Sequence, residues 1–492
     1  MFIFKLEKEF SGWDIKMKIF GQYLLTSLLL AFSLSPAQAM GKPNVVMIVM
    51  DNLGWGEVGT YGGGILRGAA TPNIDSIAKE GLKLLNFNVE SQCVPSRSAL
   101  MTGRHPIRSG TTKVVWGVPY GMTGWENTIP ELMSEQGYAT GMFGKWHLGD
   151  MKGRFPTDQG FDEWYGVPNT TDEAQYSSQV GFDASVTETP FIVQAKRNET
   201  PSKIKAYDLT TRKTIDSELT GLAIEFMRKN VAADKPFFVY IPYTQAHVPP
   251  TAHPDFVGIT GEGPWADMLA EMDHRTGQVL AAIDDLKIRD NTIVIWMSEN
   301  GPEEAPSYFG TAGYWRGHYF TTMEGSLRTP FMIRWPGKIK PESVSNEIVH
   351  ITDLLPTLAG VAGYKVPSDR IIDGVDQMSF FQGKTDKAPR EGFPAYNGDE
   401  MQAYKWRNYK VRFIKQDSMF DAPVRLNVPE VYNLKRDPKE LFGFSGGMGE
   451  TGTENLTWVL PVVIKRILAF NQTLKKEPPV PFPAPEPYTP PK

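Results

Sequence analysis

Four apolar runs, each ending in a polar cluster, set the tightest limit on how this chain folds. "NVVMIVM" (Asn44–Met50) runs into Asp51-Asn52, and "YATGMFG" (Tyr138–Gly144) into Lys145-Trp146-His147. "KPFFVYIPY" (Lys235–Tyr243) leads to His247, and "NTIVIWMS" (Asn291–Ser298) to Glu299-Asn300. Continuous β-branched and aromatic runs without polar alternation are strands buried on both faces, the mark of a parallel sheet covered by helices. Stretches with helical periodicity, such as Trp265–Leu286, supply that cover. In open α/β sheets the ligand site lies beyond the carboxyl ends of the strands. All four polar clusters fall at such ends, so a single site is expected there. The expected fold is α/β: a large, mostly parallel or mixed sheet between helices.

The texture changes after Thr352–Asp376. "EGFPAYNGDEMQAYKWRNYKVRFIK" and "PEVYNLKRDPKEL" read as antiparallel strands with a turn. "LTWVLPVVIKRILAFNQTLKK" reads as a helix, with Pro461 in its first turn or kinking it. The expected organisation is a leader over 1–39, a large N-terminal domain over 40–366, a smaller antiparallel sheet-plus-helix subdomain over 367–475, and a proline-rich tail over 476–492.

The leader is read from Ile19–Ser35, a short apolar run behind Lys16 and Lys18 and ahead of "SPAQA". A basic flank, a short apolar core and small residues at Ala37 and Ala39 define a cleaved signal peptide rather than a membrane anchor. Met17 gives the more compact start. The expectation is an exported protein, periplasmic or secreted, with no stable membrane anchor. A net charge of −5 over 492 residues, with no basic stripe, speaks against a nucleic-acid partner.

Cys93 is the chain's one cysteine, so it has no intramolecular disulfide partner. An isolated cysteine is compatible with a buried apolar side chain, a reactive thiol or a chemical precursor. Its neighbours narrow the choice. Pro95 favours a helix start, which places Cys93 at a helix N-terminus, where free N–H groups and the dipole favour anions. Arg97 follows one helical turn on and reaches back toward the same group.

This stretch, C-x-P-S-R followed by "SALMTGR", resembles the sulfatase signature, in which the cysteine is oxidised to Cα-formylglycine. "GYATGMFGKWHLG" (Gly137–Gly149) resembles the second signature of that family. "LGWGEVGTYGG", "SENGP", "MEGSLRTPFMIRWPG" and "VYNLKRDP" follow in family order, so the likeness spans nearly the whole chain after the leader. The resemblance implies an arylsulfatase-like sulfuric ester hydrolase on an alkaline-phosphatase-like scaffold, with 40–366 as its catalytic domain. It implies a formylglycine hydrate at position 93 beside one Ca2+ or Mg2+, made by a formylglycine-generating maturation enzyme. One hydroxyl attacks sulfur in line, and the other then expels sulfate and regenerates the aldehyde. Arg97 and Lys145 would hold sulfate oxygens. His147 would take the second hydroxyl's proton, and His247 would protonate the leaving oxygen. The substrate would be an aryl or carbohydrate sulfate ester.

The chain departs from the family pattern at two places. The metal ligands implied are Asp51, Asn52, Cys93, Glu299 and Asn300, where the family usually has Asp-Asp and Asp-Asn. Carboxylate and amide oxygens are both hard ligands, so an occupied but differently shaped site is expected. The lysine the family carries five residues before the Glu of "MEG" is Tyr319 here. Arg316 and His318 are the nearby cations that stand as substitutes in substrate binding. A phosphonate or phosphate ester hydrolase on the same scaffold, and a non-catalytic binding protein, are the alternative readings. Aromatic walls are expected from "DEWYGVP" and "YFGTAGYWRGHYF".

Overall fold

A computed structural model describes residues 41–114, 119–304, 310–443 and 452–490. The leader therefore lies outside the described residues. The four apolar runs form strands β1 (Asn44–Met50), β2 (Ala139–Phe143), β3 (Phe237–Pro242) and β4 (Thr292–Ser298). They lie side by side and parallel in the order β4-β1-β3-β2, with Val45 opposite both Ile293 and Phe238. Six further strands extend this to a ten-stranded mixed sheet. Phe331–Arg334 pairs antiparallel with β4, and Leu82–Leu84 and Ser343–Ser345 follow it outward. On the other side Glu163–Gly166 pairs parallel with β2, and Phe191–Lys196 and Ser202–Ala206 continue antiparallel.

The continuous apolar character of β1 is explained by its two faces. Val45, Met47 and Val49 enter one core, beside Ala99, Leu100 and Leu354. Val46, Ile48 and Met50 enter the other, beside Ile77, Leu219 and Leu269 of helices Pro72–Lys79, Leu209–Ala232 and Pro264–Asp285. Each large apolar side chain fully buried this way contributes roughly 1.5–3 kcal/mol. The expected α/β class and the helix read at Trp265–Leu286 both stand.

The C-terminal strands Gly392–Asn397, Glu400–Trp406, Tyr409–Lys415 and Val424–Asn433 form a separate antiparallel sheet. Helix Val459–Lys476 packs on it through Val459 and Val463, with Pro461 in its first turn, where no helical N–H is lost. A buried ion cluster ties this sheet to the large one. Lys405 Nζ lies 2.6 Å and Lys410 Nζ 2.8 Å from the two oxygens of Glu324, and Arg328 contacts the same carboxylate. Burial opposes the charge on Glu324, but the three cations outweigh it and hold the carboxyl well below its usual range.

Candidate active site

The loops leaving β1, β2, β3 and β4 bring their polar residues to one place. Asp51 is the hub. Lys145 Nζ donates to its Oδ2 at 2.8 Å, Thr171 Oγ1 donates to the same oxygen at 2.8 Å, and Arg97 Nη2 lies 3.9 Å from its Oδ1. Lys145 reaches this point because Gly144, at φ 147°, lets the chain leave β2 against β3. A Cβ at Gly144 would lie 2.0 Å from the Pro242 carbonyl oxygen. Asn52 and His147 hold φ of 59° and 60°, an uncommon conformation for residues other than glycine and one that concentrates at functional sites.

Helix Cys93–Thr102 begins at Cys93, with Pro95 as its third residue rather than its first. The proline still costs no helical bond, because the first four N–H groups have no partner within the helix. Cys93 Sγ lies 3.9 Å from Asp51 Oδ1, 3.7 Å from Asn52 Oδ1 and 3.0 Å from Tyr319 Oη. Burial pushes the Cys93 thiol well above its usual range, with the Lys145 charge only partly offsetting it. As cysteine, position 93 is thus a poor thiolate nucleophile.

Arg97 Nε contacts Glu299 Oε2 at 2.5 Å, and its Nη1 donates to the Lys145 carbonyl at 2.6 Å. Burial opposes the charge on Asp51, yet Lys145, His247 and Arg97 outweigh it and keep Asp51 ionised far below its ordinary range. Burial drives Glu299 up to about 8, Arg97 offsets part of that rise, and the neighbouring Asp51 charge adds to it. Burial and the Lys145 and Arg97 charges hold His147 well below 6.5, as a neutral ring. Neither of its nitrogens has a hydrogen-bond partner among the described residues.

Asp51, Asn52 and Glu299 offer hard oxygens at the strand ends, and ligand atoms of Asp51, Cys93 and His247 lie within 4.8 Å of one another. Of that group, Asp51 and position 93 belong to the ligand set the resemblance implies, and His247 does not. Two adjacent buried carboxylates with the Asn52 amide beside them are hard donors of the kind a divalent cation takes, so the donor set fits. Asn300 is placed differently. Its Oδ1 accepts from Ser96 Oγ at 3.0 Å, while its Nδ2 donates to Asn52 Oδ1 at 2.8 Å. To offer oxygen to a cation, its amide must turn.

Of the expected residues, Cys93, Arg97, Lys145, His147, His247, Asp51, Asn52, Glu299 and Asn300 share this site. Arg316 does not face it: its guanidinium pairs with Asp417 Oδ2 at 2.8 Å and donates to the Glu440 carbonyl. His318 is half-buried, outside the cavity beside His247, and burial lowers its pKa. Tyr319 does face Cys93. Glu303 and Thr171 are additions. Glu303 Oε1 sits 3.3 Å from His247 Nδ1 and accepts from the Asn52 amide. The expected walls divide: Trp164 and Tyr165 are core residues of the sheet, whereas Tyr319 and Phe320 line the cavity over Cys93. Tyr314 and Trp315 line another cavity with Trp55. Tyr308 and Phe309 lie outside the described residues.

A mixed α/β sheet with a C-x-P-S-R helix, Lys145, His147 and His247 converging on a carboxylate cluster defines the sulfatase class of ester hydrolase. Comparison with known proteins agrees. The Sulfatase family model matches residues 43–364, and the model for the C-terminal region of N-sulphoglucosamine sulphohydrolase matches 313–455. Human arylsulfatase A is 34% identical over 463 residues, covering 86% of this chain and 85% of that protein. Dog N-acetylgalactosamine-6-sulfatase is 32% identical over 477 residues, covering 89% and 88%. The crystal structure of PsFucS1 sulfatase from Pseudoalteromonas sp. superposes with a TM-score of 0.82 at 30% identity, covering 89% of this chain and 92% of that one. This chain belongs to the sulfatase family and is a sulfuric ester hydrolase.

Proposed function

We propose that this chain is an exported sulfatase that cleaves an aryl or carbohydrate sulfate monoester, using formylglycine made from Cys93 by a maturation enzyme. The observation that carries this reading is the buried Cys93 at a helix N-terminus, ringed by Asp51, Asn52 and Tyr319 with Lys145 and Arg97 behind. Export rests on the leader over 1–39. Among the described residues no helix is long and apolar enough to cross a membrane. Relatives named for aryl sulfates and for N-acetylgalactosamine 6-sulfate support the substrate range.

A hydrated aldehyde at position 93 supplies an alcohol nucleophile that a thiol of raised pKa does not. Asp51, Asn52, Glu299, Asn300 and position 93 would hold one Ca2+ or Mg2+, which would supply positive charge for an anionic substrate. The protein's own groups do the rest. Lys145 and Arg97 neutralise the sulfate where charge develops, in a water-poor site where such contacts are strongest. His147, kept neutral by burial, is ready to accept a proton. His247 lies at the floor of the open cavity, where a leaving oxygen emerges, and donates a proton there. The Val248 carbonyl, 2.9 Å from His247 Nδ1, fixes that ring, with the Glu303 carboxylate 3.3 Å from the same nitrogen.

Turnover of p-nitrophenyl sulfate, phosphate and phosphonate esters by the purified protein tests the reading. Preferential sulfate hydrolysis, lost with a chelator and restored by Ca2+ or Mg2+, is the expected result. Preference for phosphate or phosphonate would replace it with an ester hydrolase of that type. No turnover by protein that carries formylglycine would leave a binding protein.

A further inference from the structure

The cavity over Cys93 has an unusual charge distribution from floor to mouth. Its volume is about 230 Å3, and its lining includes His247 and Tyr319 at the floor. Its apolar wall comes from Val114, Val248, Phe320, Met419 and Phe420. The remaining charged lining groups are all carboxylates: Asp172, Glu303 and Glu304. Glu304 is fixed by Ser418 Oγ at 2.7 Å, and Asp172 accepts from Thr170 Oγ1. Around this rim, His318 stands beside Glu304 but burial holds it below its usual range, and the other cations are paired or lie off the lining. Arg316, Arg412 and Lys415 share Asp417, and Lys113, next to Val114, is exposed and not part of the lining.

The cationic groups Lys145 and Arg97 thus lie deep, around Asp51, while the entrance is acidic and apolar. A sulfate ester seated with its sulfur at Cys93 must place its alcohol portion among Asp172, Glu304 and the apolar wall. A second anion on that portion would face two or three carboxylates at close range, in a partly desolvated cavity where like-charge contact is costly. We infer that this sulfatase selects monosulfated substrates whose alcohol portion is uncharged or carries an amine, and discriminates against polysulfated or carboxylated ones, with Asp172 and Glu304 as the specificity-determining residues. This rests on the sulfatase reading above and narrows its substrate class. The preference is a property of the mouth, so it varies independently of the chemistry at Cys93.

Three aryl sulfates with near-equal leaving groups separate the two claims: 4-(carbamoylmethyl)phenyl, 4-(carboxymethyl)phenyl and 4-(2-aminoethyl)phenyl sulfate. For the formylglycine-bearing protein, kcat/KM is expected to be lower for the carboxylate than for the amide by roughly tenfold, and at least equal to the amide for the amine. The gap should narrow as salt is raised. In the Asp172→Asn/Glu304→Gln variant the amide-to-carboxylate ratio should fall toward one. Equal kcat/KM for all three in the parent protein, or an unchanged ratio in an active variant, would overturn the inference while leaving the sulfatase reading intact. Turnover of none of the three, nor of any sugar sulfate, by the formylglycine-bearing parent protein would overturn the proposed function, and this inference with it.

Discussion

Tyr319 Oη lies 3.0 Å from Cys93 Sγ, on the cavity side of the site. The phenol is buried at the cavity floor, and burial with the nearby Cys93 pushes it well above its usual range, so it is neutral rather than a charge. Removing one neutral hydrogen bond costs about 0.5–1.5 kcal/mol. Tyr319→Phe is therefore expected to lower kcat/KM by about three- to tenfold, less than the loss of a charged sulfate contact. Steady-state kinetics on an aryl sulfate checks this; a loss on the scale of Lys145→Ala would show that the hydroxyl does more than donate one bond.

His247 faces the open cavity, so its proton matters in proportion to how poor the leaving group is. His247→Asn should lower the rate on an alkyl or sugar sulfate by about 10²–10⁴-fold, and on p-nitrophenyl sulfate far less. A Brønsted plot over leaving-group pKa reads this directly, with a steeper slope in the variant. Equal losses across the series would remove His247 as the acid.

Glu324 carries the charge balance of the buried cluster that joins the two sheets. Glu324→Gln leaves Lys405, Lys410 and Arg328 with one fewer buried carboxylate. Breaking such a cluster on one side costs about 3–5 kcal/mol. A large drop in the denaturant midpoint is the expected outcome, read by far-UV circular dichroism.

His350 is fully buried, and burial, with His105, Arg390 and Lys405, keeps its ring neutral well below 6.5. The unfolded chain binds a proton there as pH falls below 6.5, and the folded chain does not. Stability therefore falls with decreasing pH below that value, by at most about 1.4 kcal/mol per pH unit from this group. His350→Gln should flatten the fall in melting temperature between about pH 6.5 and 5, relative to the parent protein.

The central sheet was legible because β1 to β4 are buried on both faces, so their apolar runs end within a residue or two of the strands themselves. The helix starting at Cys93 was legible from Pro95, and its partners Asp51, Lys145, His147 and His247 from their places just past strand ends. What escaped depends on distant packing. Arg316 stands three residues from Tyr319 yet pairs with Asp417, from the turn after strand Tyr409–Lys415. Thr171 and Glu303 meet Asp51, Asn52 and His247 only when separate loops converge. Trp164 looks like a pocket aromatic in sequence, but its short strand adds to the sheet and carries it into the core.

The proposed chemistry requires Cys93 to be a precursor rather than a thiol. Peptide mass spectrometry of the Cys93 segment, on protein from its native host, tests it most directly. The expected result is the mass of the aldehyde residue, and a hydrazone adduct after treatment with a hydrazine probe. An unmodified cysteine in protein that is active on sulfate esters would contradict it.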